Sequence, residues 1–212
     1  LGLARSLGRA CGLRGPAPVL AARQVHGGTV LAVGAESDPR ALADTPADGL
    51  VTAGPGALLL VRTADCVPVL LASADGNNVA AVHAGWRGVL AGVVPNALAA
   101  FEAAGSRVAA AVIGPCLSLE RFEVGPEVAE AFRDADLHDA VHEYPAARPH
   151  IDLAAAVSLQ LERGGVEHIE RSGLCTWEGE EFWSYRRDVT HGARSTGART
   201  GRLGALIAAA GS

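Results

Sequence analysis

Short apolar runs separated by polar and glycine-rich breaks dominate the centre of the chain. Residues 58–61 and 67–72 are rich in Val and Leu and have strand length, and the polar stretches 63–65 and 73–78 bound them, which predicts two buried strands. Asp75-Gly76-Asn77-Asn78 carries residue types that tolerate positive φ in a tight turn, so residues 79–84 are expected to return antiparallel beside 67–72. Antiparallel partners joined by a tight loop bring their far ends together. His83 then lies level with the start of the strand that follows Cys66. The pattern alone predicts that this imidazole and this thiol are neighbours.

The rest of the chain reads in the same way. Leu3, Leu7, Ala10 and Cys11 have helical spacing, and Gly12 and Gly15-Pro16 end the helix they predict over residues 1–13. Residues 18–25 read as a strand that delivers Gln24-Val25-His26-Gly27, and 29–33 as a strand that continues or pairs with it. Residues 36–45 read as a loop with a helical turn, and 48–52 as a short strand before the Gly-Pro-Gly turn at 54–56. Trp86-Arg87-Gly88 opens a helix expected over 89–104, kinked or restarted near Pro95. Beyond it, residues 108–114 read as a buried strand, 122–124 as an edge strand, 126–133 as a helix and 138–150 as a polar loop. Asp152 is placed to cap a helix that runs through Arg163 to Gly164-Gly165. Strands are expected at 166–174 and 181–185, and a strand or helix at 203–210.

Strands arrive in adjacent pairs with helices inserted between groups, and no Gly-x-Gly-x-x-Gly follows the first of them. The expected fold is therefore α+β, a mixed β-sandwich core flanked by helices. No internal repeat or long linker divides the chain, so residues 1–212 are expected to form a single domain.

Composition narrows the chemistry. An apolar fraction of 49% with a net charge of −5 belongs to a globular protein. The charge balance carries no nucleic-acid footprint. No apolar run approaches the roughly 20 residues of a membrane span, and there is no secretory apolar core, so neither partner is expected and the cytoplasm is the expected location. All 18 basic residues are Arg and there is no Met. That excludes a lysine Schiff base, a P-loop lysine and a blue-copper axial methionine. The missing Met also leads one to expect that the chain begins downstream of its initiator. Cys11, Cys66, Cys116 and Cys175 are irregularly spaced, which fits free thiols or metal ligands better than a disulfide framework.

A cysteine in an apolar run is ordinarily a small buried hydrophobe, and a histidine at a strand end is ordinarily hydrogen-bonded structure. Cys66 and His83 on one hairpin end, with His26 arriving beside Gly27-Gly28, change that reading. Two imidazoles and a thiolate suit Zn²⁺ and leave a fourth position for water or substrate. A Cys–His nucleophile pair fits the same residues. The pattern leaves both open.

Nine motifs add a resemblance. Gln24-Val25-His26-Gly27, Ala47-Asp48-Gly49, Thr63-Ala64-Asp65-Cys66-Val67-Pro68, His83-Ala84-Gly85-Trp86-Arg87-Gly88 and Ile113-Gly114-Pro115-Cys116 come first. Phe122-Glu123-Val124-Gly125, Leu174-Cys175-Thr176, Phe182-Trp183-Ser184-Tyr185-Arg186-Arg187 and Gly201-Arg202 follow. In that order, over residues 20–207, they resemble the laccase-domain family of purine nucleoside phosphorylases, long labelled multicopper polyphenol oxidoreductases, with peptidoglycan editing factors among its relatives. The resemblance implies a mixed sandwich flanked by helices and zinc held by His26, Cys66 and His83, with Cys66 and His83 at the catalytic centre. It implies phosphorolysis of adenosine and inosine to free base and ribose 1-phosphate, with adenosine deamination as a side activity. The expected partners are thus a small nucleoside and phosphate. Arg is suited to bidentate phosphate recognition, which makes Arg87 the first candidate for the phosphate and Arg186 and Arg202 the next.

The chain also departs from the family. It is expected to begin after the family's Gly- and Asn-containing N-terminal segment, Gly173 stands where an Asp is often found, and none of the nine motifs contains a His-x-Glu to supply a proton-shuttling carboxylate. True laccase chemistry needs on the order of ten histidines, and this chain has seven. Copper is an alternative occupant of the zinc site. Two other functions fit the residues: a Cys66–His83 hydrolase or amidase acting on peptidoglycan precursors, and a non-catalytic, zinc-stabilised interaction module.

Overall fold

Strand β6 (Asn78–Ala84) is apolar without a break from Val79 to Val82 because both of its faces are covered. Val79 and Ala81 enter one buried cluster, while Ala80, Val82 and Ala84 enter another. Successive side chains point to opposite faces of a strand, and a strand covered on both faces loses the usual polar alternation. The computed structural model, which describes residues 17–190 and 200–210, shows what lies on each face.

The larger sheet holds, in spatial order, β10 (His168–Arg171), β7 (Val108–Ile113), β5 (Val67–Ser73), β6, β3 (Gly49–Ala53) and β2 (Val30–Ala32). The smaller sheet holds β1 (Val19–Leu20), β4 (Leu58–Thr63) and β11 (Leu203–Ile207), and β4 and β11 face β5 and β6. Leu20, Leu50, Leu59 and Val61 fill the space between the sheets. Against the other face of the larger sheet lie α3 (Val93–Ala103), α4 (Pro126–Asp134) and α5 (Leu153–Arg163), through Phe101, Phe132 and Leu161. The architecture is the expected mixed sandwich flanked by helices. No helix among the described residues is long and apolar enough to cross a membrane.

The predicted hairpin forms with the expected register, Pro68 opposite His83 and Val67 opposite Ala84. Asp152 caps α5 by accepting from the Ala155 amide at 2.8 Å. The predicted helix 89–104 is two helices, α2 (Trp86–Leu90) and α3, separated at Gly92 with φ 77°. Glycine takes that left-handed conformation at little steric cost, and Pro95 then sits in the first turn of α3, where its missing N–H costs least.

Several expectations are corrected. The run 18–25 is a strand only over β1, because the amides of Val25, His26 and Gly27 donate to the Asp48 carboxylate instead of to a ladder. Residues 122–124 contribute a lone bridge, Glu123 to His150, after a 3₁₀ turn at Leu119–Arg121. Within the polar loop 138–150 a short pair forms, β8 (Val141–His142) with β9 (His150–Ile151). Residues 181–185 are not a strand. Their loop wraps the Arg187 guanidinium, which donates to the carbonyls of Thr176, Trp177, Gly179 and Phe182. The turn in residues 36–45 is a full short helix, α1 (Pro39–Asp44), and 203–207 is a strand. The helix predicted over 1–13 lies outside the described residues.

Candidate metal centre

A turn, a crossover and a strand end deliver one side chain each to the same point. The ligand atoms of His26, Cys66 and His83 all lie within 4.8 Å of one another, the one such group of three or more metal-ligating residues among the described residues. Tetrahedral bonds of about 2.0–2.3 Å correspond to ligand spacings of about 3.3–3.8 Å, so small side-chain shifts close the group on an ion.

Cys66 follows the crossover from the smaller sheet to the larger one. The preceding residue, Asp65, has φ 92°, a conformation a non-glycine residue holds only when its surroundings fix it. Here Asp65 accepts the Thr176 hydroxyl at 2.7 Å and the Arg186 amide at 2.6 Å, and its own carbonyl accepts the Leu117 amide. The turn that aims the thiol is therefore fastened from both sides. His26 is also left-handed, at φ 62°. Its turn is held by Asp48, which gathers three consecutive amides, Val25 at 3.1 Å, His26 at 2.9 Å and Gly27 at 2.7 Å.

Asp48 has a second task. Its fully buried carboxylate lies 2.7 Å from Nδ1 of the buried His83. Burial alone would raise the Asp48 carboxyl, but the His83 hydrogen bond and the three amides outweigh it and hold it below the ordinary carboxylate range. An ionised carboxylate only accepts, so Nδ1 of His83 carries the proton and Nε2 is left with a lone pair for a cation. This carboxylate–histidine pairing is the one that orients metal-bound imidazoles. His26 is held below its ordinary value by burial and then by the neighbouring His83, whose ring it meets edge-on at 4.8 Å. Burial, with Asp65 and Asp48 adding to it, pushes the Cys66 thiol up to about 12. A bound cation reverses that balance, because it stabilises the thiolate directly.

Two imidazoles and one sulfur form a donor set that fits zinc or copper. Gly85 makes room for it. A Cβ there would lie 2.8 Å from Cδ2 of His26 and 3.1 Å from Sγ of Cys66. Gly85→Ala is thus expected to spread the ligands without straining the backbone, whose φ is −76°. Metal affinity should fall about tenfold or more, read by competition with a chromophoric chelator, while the melting temperature of metal-free protein changes little.

The three residues open onto a cavity of about 700 Å³. Arg87, Arg186 and Arg202, named from sequence, all line it. Arg87 stacks on Trp86 at 4.2 Å, Arg186 donates to the Glu123 carbonyl at 3.0 Å and lies over Phe122, and Arg202 donates to the carbonyls of Thr200 and Gly201. Sequence reasoning quoted Asp48 within a motif but gave it no role, and it did not single out Arg23, Arg62 or Tyr185, which also line the cavity. The available signal for Asp48 was a lone carboxylate opening an apolar strand. The other thiols stand apart from this centre: Cys116 and Cys175 are free and share a lone β-bridge, and the Ser118 amide donates to Cys175 Sγ at 3.4 Å.

Residues 4–210 match the family described as multi-copper polyphenol oxidoreductase laccase, and the chain belongs to that family. Among curated proteins it is similar to a purine nucleoside phosphorylase of Deinococcus radiodurans, 40% identical over 162 residues, which are 76% of this chain and 60% of that protein. The chain thus spans less than two thirds of that relative's length. It is also 41% identical to a purine nucleoside phosphorylase of Shigella flexneri over 175 residues, 80% of this chain and 68% of that one. Among solved structures, a Neisseria meningitidis protein superposes with a TM-score of 0.78 at 33% identity, covering 98% of this chain and 79% of its own. The family description speaks of several coppers, whereas the other described histidines do not gather into a second centre. His138 lies beside Asp136 and Asp139, and His150 Nδ1 meets the Leu119 carbonyl.

Proposed function

We propose that the protein is a zinc-dependent purine nucleoside phosphorylase, with copper able to occupy the same ligands. The observation that carries this reading is a three-residue donor set opening onto a cavity that also presents guanidinium groups and aromatic faces. The names of the relatives from Deinococcus radiodurans and Shigella flexneri support it. In the reaction a phosphate oxygen bonds to C1′ of the nucleoside as the bond from C1′ to the purine nitrogen breaks, giving ribose 1-phosphate and the base. Arg87 and Arg202 line the cavity together with His26, Cys66 and His83, and they are assigned to hold phosphate beside the triad by charge-assisted hydrogen bonds. Arg186 lines the same cavity as a further phosphate or substrate contact. Trp86, Phe122 and Tyr185 line it too, although the whole chain has only nine aromatic residues of these types, and they offer stacking faces to a purine. Zinc, when bound, supplies a Lewis acid. His26, Cys66 and His83 hold it, and Asp48 fixes the tautomer of His83.

Adenosine deamination is proposed only as a minor side activity. Asp65 is the carboxylate lining the cavity, and its oxygens already accept from Thr176 and Arg186. The order Asp48, His83, Cys66 also matches a nucleophile triad, which keeps a hydrolase as a second reading. His26, drawn into the same group, has no place in such a triad and favours the metal.

Purified protein incubated with adenosine and phosphate is expected to release adenine and ribose 1-phosphate in equal amounts, to lose this activity to a chelator and to regain it with zinc. Adenine release indifferent to phosphate, activity abolished by thiol alkylation but not by chelation, or no release at all would each contradict the proposal. Arg87→Ala is expected to raise KM for phosphate about tenfold or more while raising KM for adenosine far less. Equal effects on both would remove Arg87 from the phosphate site.

A further inference from the structure

The arginines around the cavity are more numerous than one phosphate explains. Arg23, Arg62, Arg87, Arg186 and Arg202 line it, against Asp65 as its lining acid. None of these five forms an ion pair among the described residues, whereas Arg121, Arg133, Arg163 and Arg171 elsewhere on the surface all do. Residues 1–16 and 191–199, outside the described structure, contain no Asp or Glu. No carboxylate side chain in either stretch can neutralise the cluster. In a chain with a net charge of −5, gathering like charges around one cavity is unfavourable unless a ligand brings negative charge to it. A single phosphate dianion meets only about half of that excess.

The five arginines also divide by position. Arg87 follows His83 by four residues at the start of α2, and Arg202 directly precedes Leu203, which pairs with Thr63 three residues before Cys66. Arg23 and Arg62 sit on the rim between β1 and β4, and they are positioned by backbone. Gln24 accepts from the Arg62 amide at 2.8 Å and donates to the Arg62 carbonyl at 2.7 Å, which ties the two rim segments together. Arg23 Nε donates to the Asp44 carbonyl at 3.3 Å, leaving its terminal nitrogens for another acceptor. The Arg62 guanidinium has no protein acceptor among the described residues.

Resting on the phosphorylase reading, we propose that the cavity has two anion subsites and that its preferred ligands are purine nucleoside monophosphates. Inorganic phosphate occupies the inner subsite at Arg87 and Arg202. The phosphate carried by the substrate occupies the outer one at Arg23 and Arg62.

Calorimetric titration of the purified protein with AMP and with adenosine, in buffer holding inorganic phosphate, tests this. AMP is expected to bind about tenfold or more tightly than adenosine. That advantage should survive Arg87→Ala and shrink to within about twofold in the Arg23→Ala/Arg62→Ala double variant. Arg62→Gln serves as a single change should the double variant melt early. AMP binding no better than adenosine would overturn the proposal. So would an advantage that disappears in Arg87→Ala and persists without Arg23 and Arg62, since that is the behaviour of one anion site. Absence of turnover with either compound would remove the phosphorylase reading, and the binding ratio would still decide between one subsite and two.

Discussion

Replacing Cys66 by alanine is expected to remove the metal and the phosphate-dependent cleavage of adenosine together. Altering a group that merely supports a ligand typically lowers metal affinity about 10–100-fold, and loss of one of three ligands should exceed the upper end of that range. The fold should survive, because Cys66 is only partly buried and lies in a crossover fastened by Asp65. Metal content by mass spectrometry and melting temperature separate the two effects. A variant that melts like metal-free wild type but retains no zinc is the expected result. His26→Ala should behave in the same way, since its side chain is exposed and its turn is held by the Asp48 carboxylate through backbone amides that the substitution keeps. Full metal occupancy in either variant would mean that the ion is held elsewhere.

Asp48 is expected to be the costliest position in the site. Asp48→Ala leaves the amides of Val25, His26 and Gly27 and the His83 Nδ1 proton without an acceptor. A buried donor left unpaired costs about 1–3 kcal/mol; His83 Nδ1 is buried and the three amides are part-buried, so a loss of about 2–4 kcal/mol in chemical denaturation is expected. Asp48→Asn is the sharper probe. It keeps the shape, but an amide group can turn only one oxygen toward four donors, and its NH₂ must face another N–H. It should fold with reduced stability and bind metal about 10–100-fold more weakly. Wild-type metal affinity in Asp48→Asn would show that the carboxylate does not orient His83 for a cation.

The central hairpin was legible in the sequence because its determinants are local. Two apolar runs and a turn of Asp, Gly and Asn residues set β5 against β6, and that register carries His83 to the level of Pro68, two residues from Cys66. The same local logic located the α5 cap at Asp152 and the restart of the helix near Pro95. What was not legible depends on residues far apart in the chain. The run ending at His26 looks like a continuing strand, and it bends because Asp48, more than twenty positions away, takes its amides. The aromatic stretch 181–185 has strand-like composition, yet Arg187 collects carbonyls from across that loop and overrides the propensity. β4 and β5 are consecutive and equally apolar, and they belong to different sheets because β4 pairs with β1 and β11. Nothing in either run indicates that choice. The triad was legible through motif resemblance and the hairpin, whereas its support by Asp48 and Asp65, and the rim arginines, required the assembled fold.

The activity proposed for this chain depends on one ion bound by three particular side chains. Zinc-edge X-ray absorption on the purified, metal-loaded protein reads that directly. One sulfur at about 2.3 Å and two nitrogens at about 2.0–2.1 Å are expected, with the sulfur shell lost in Cys66→Ala. A first shell of nitrogen and oxygen only in the wild type would contradict the assignment.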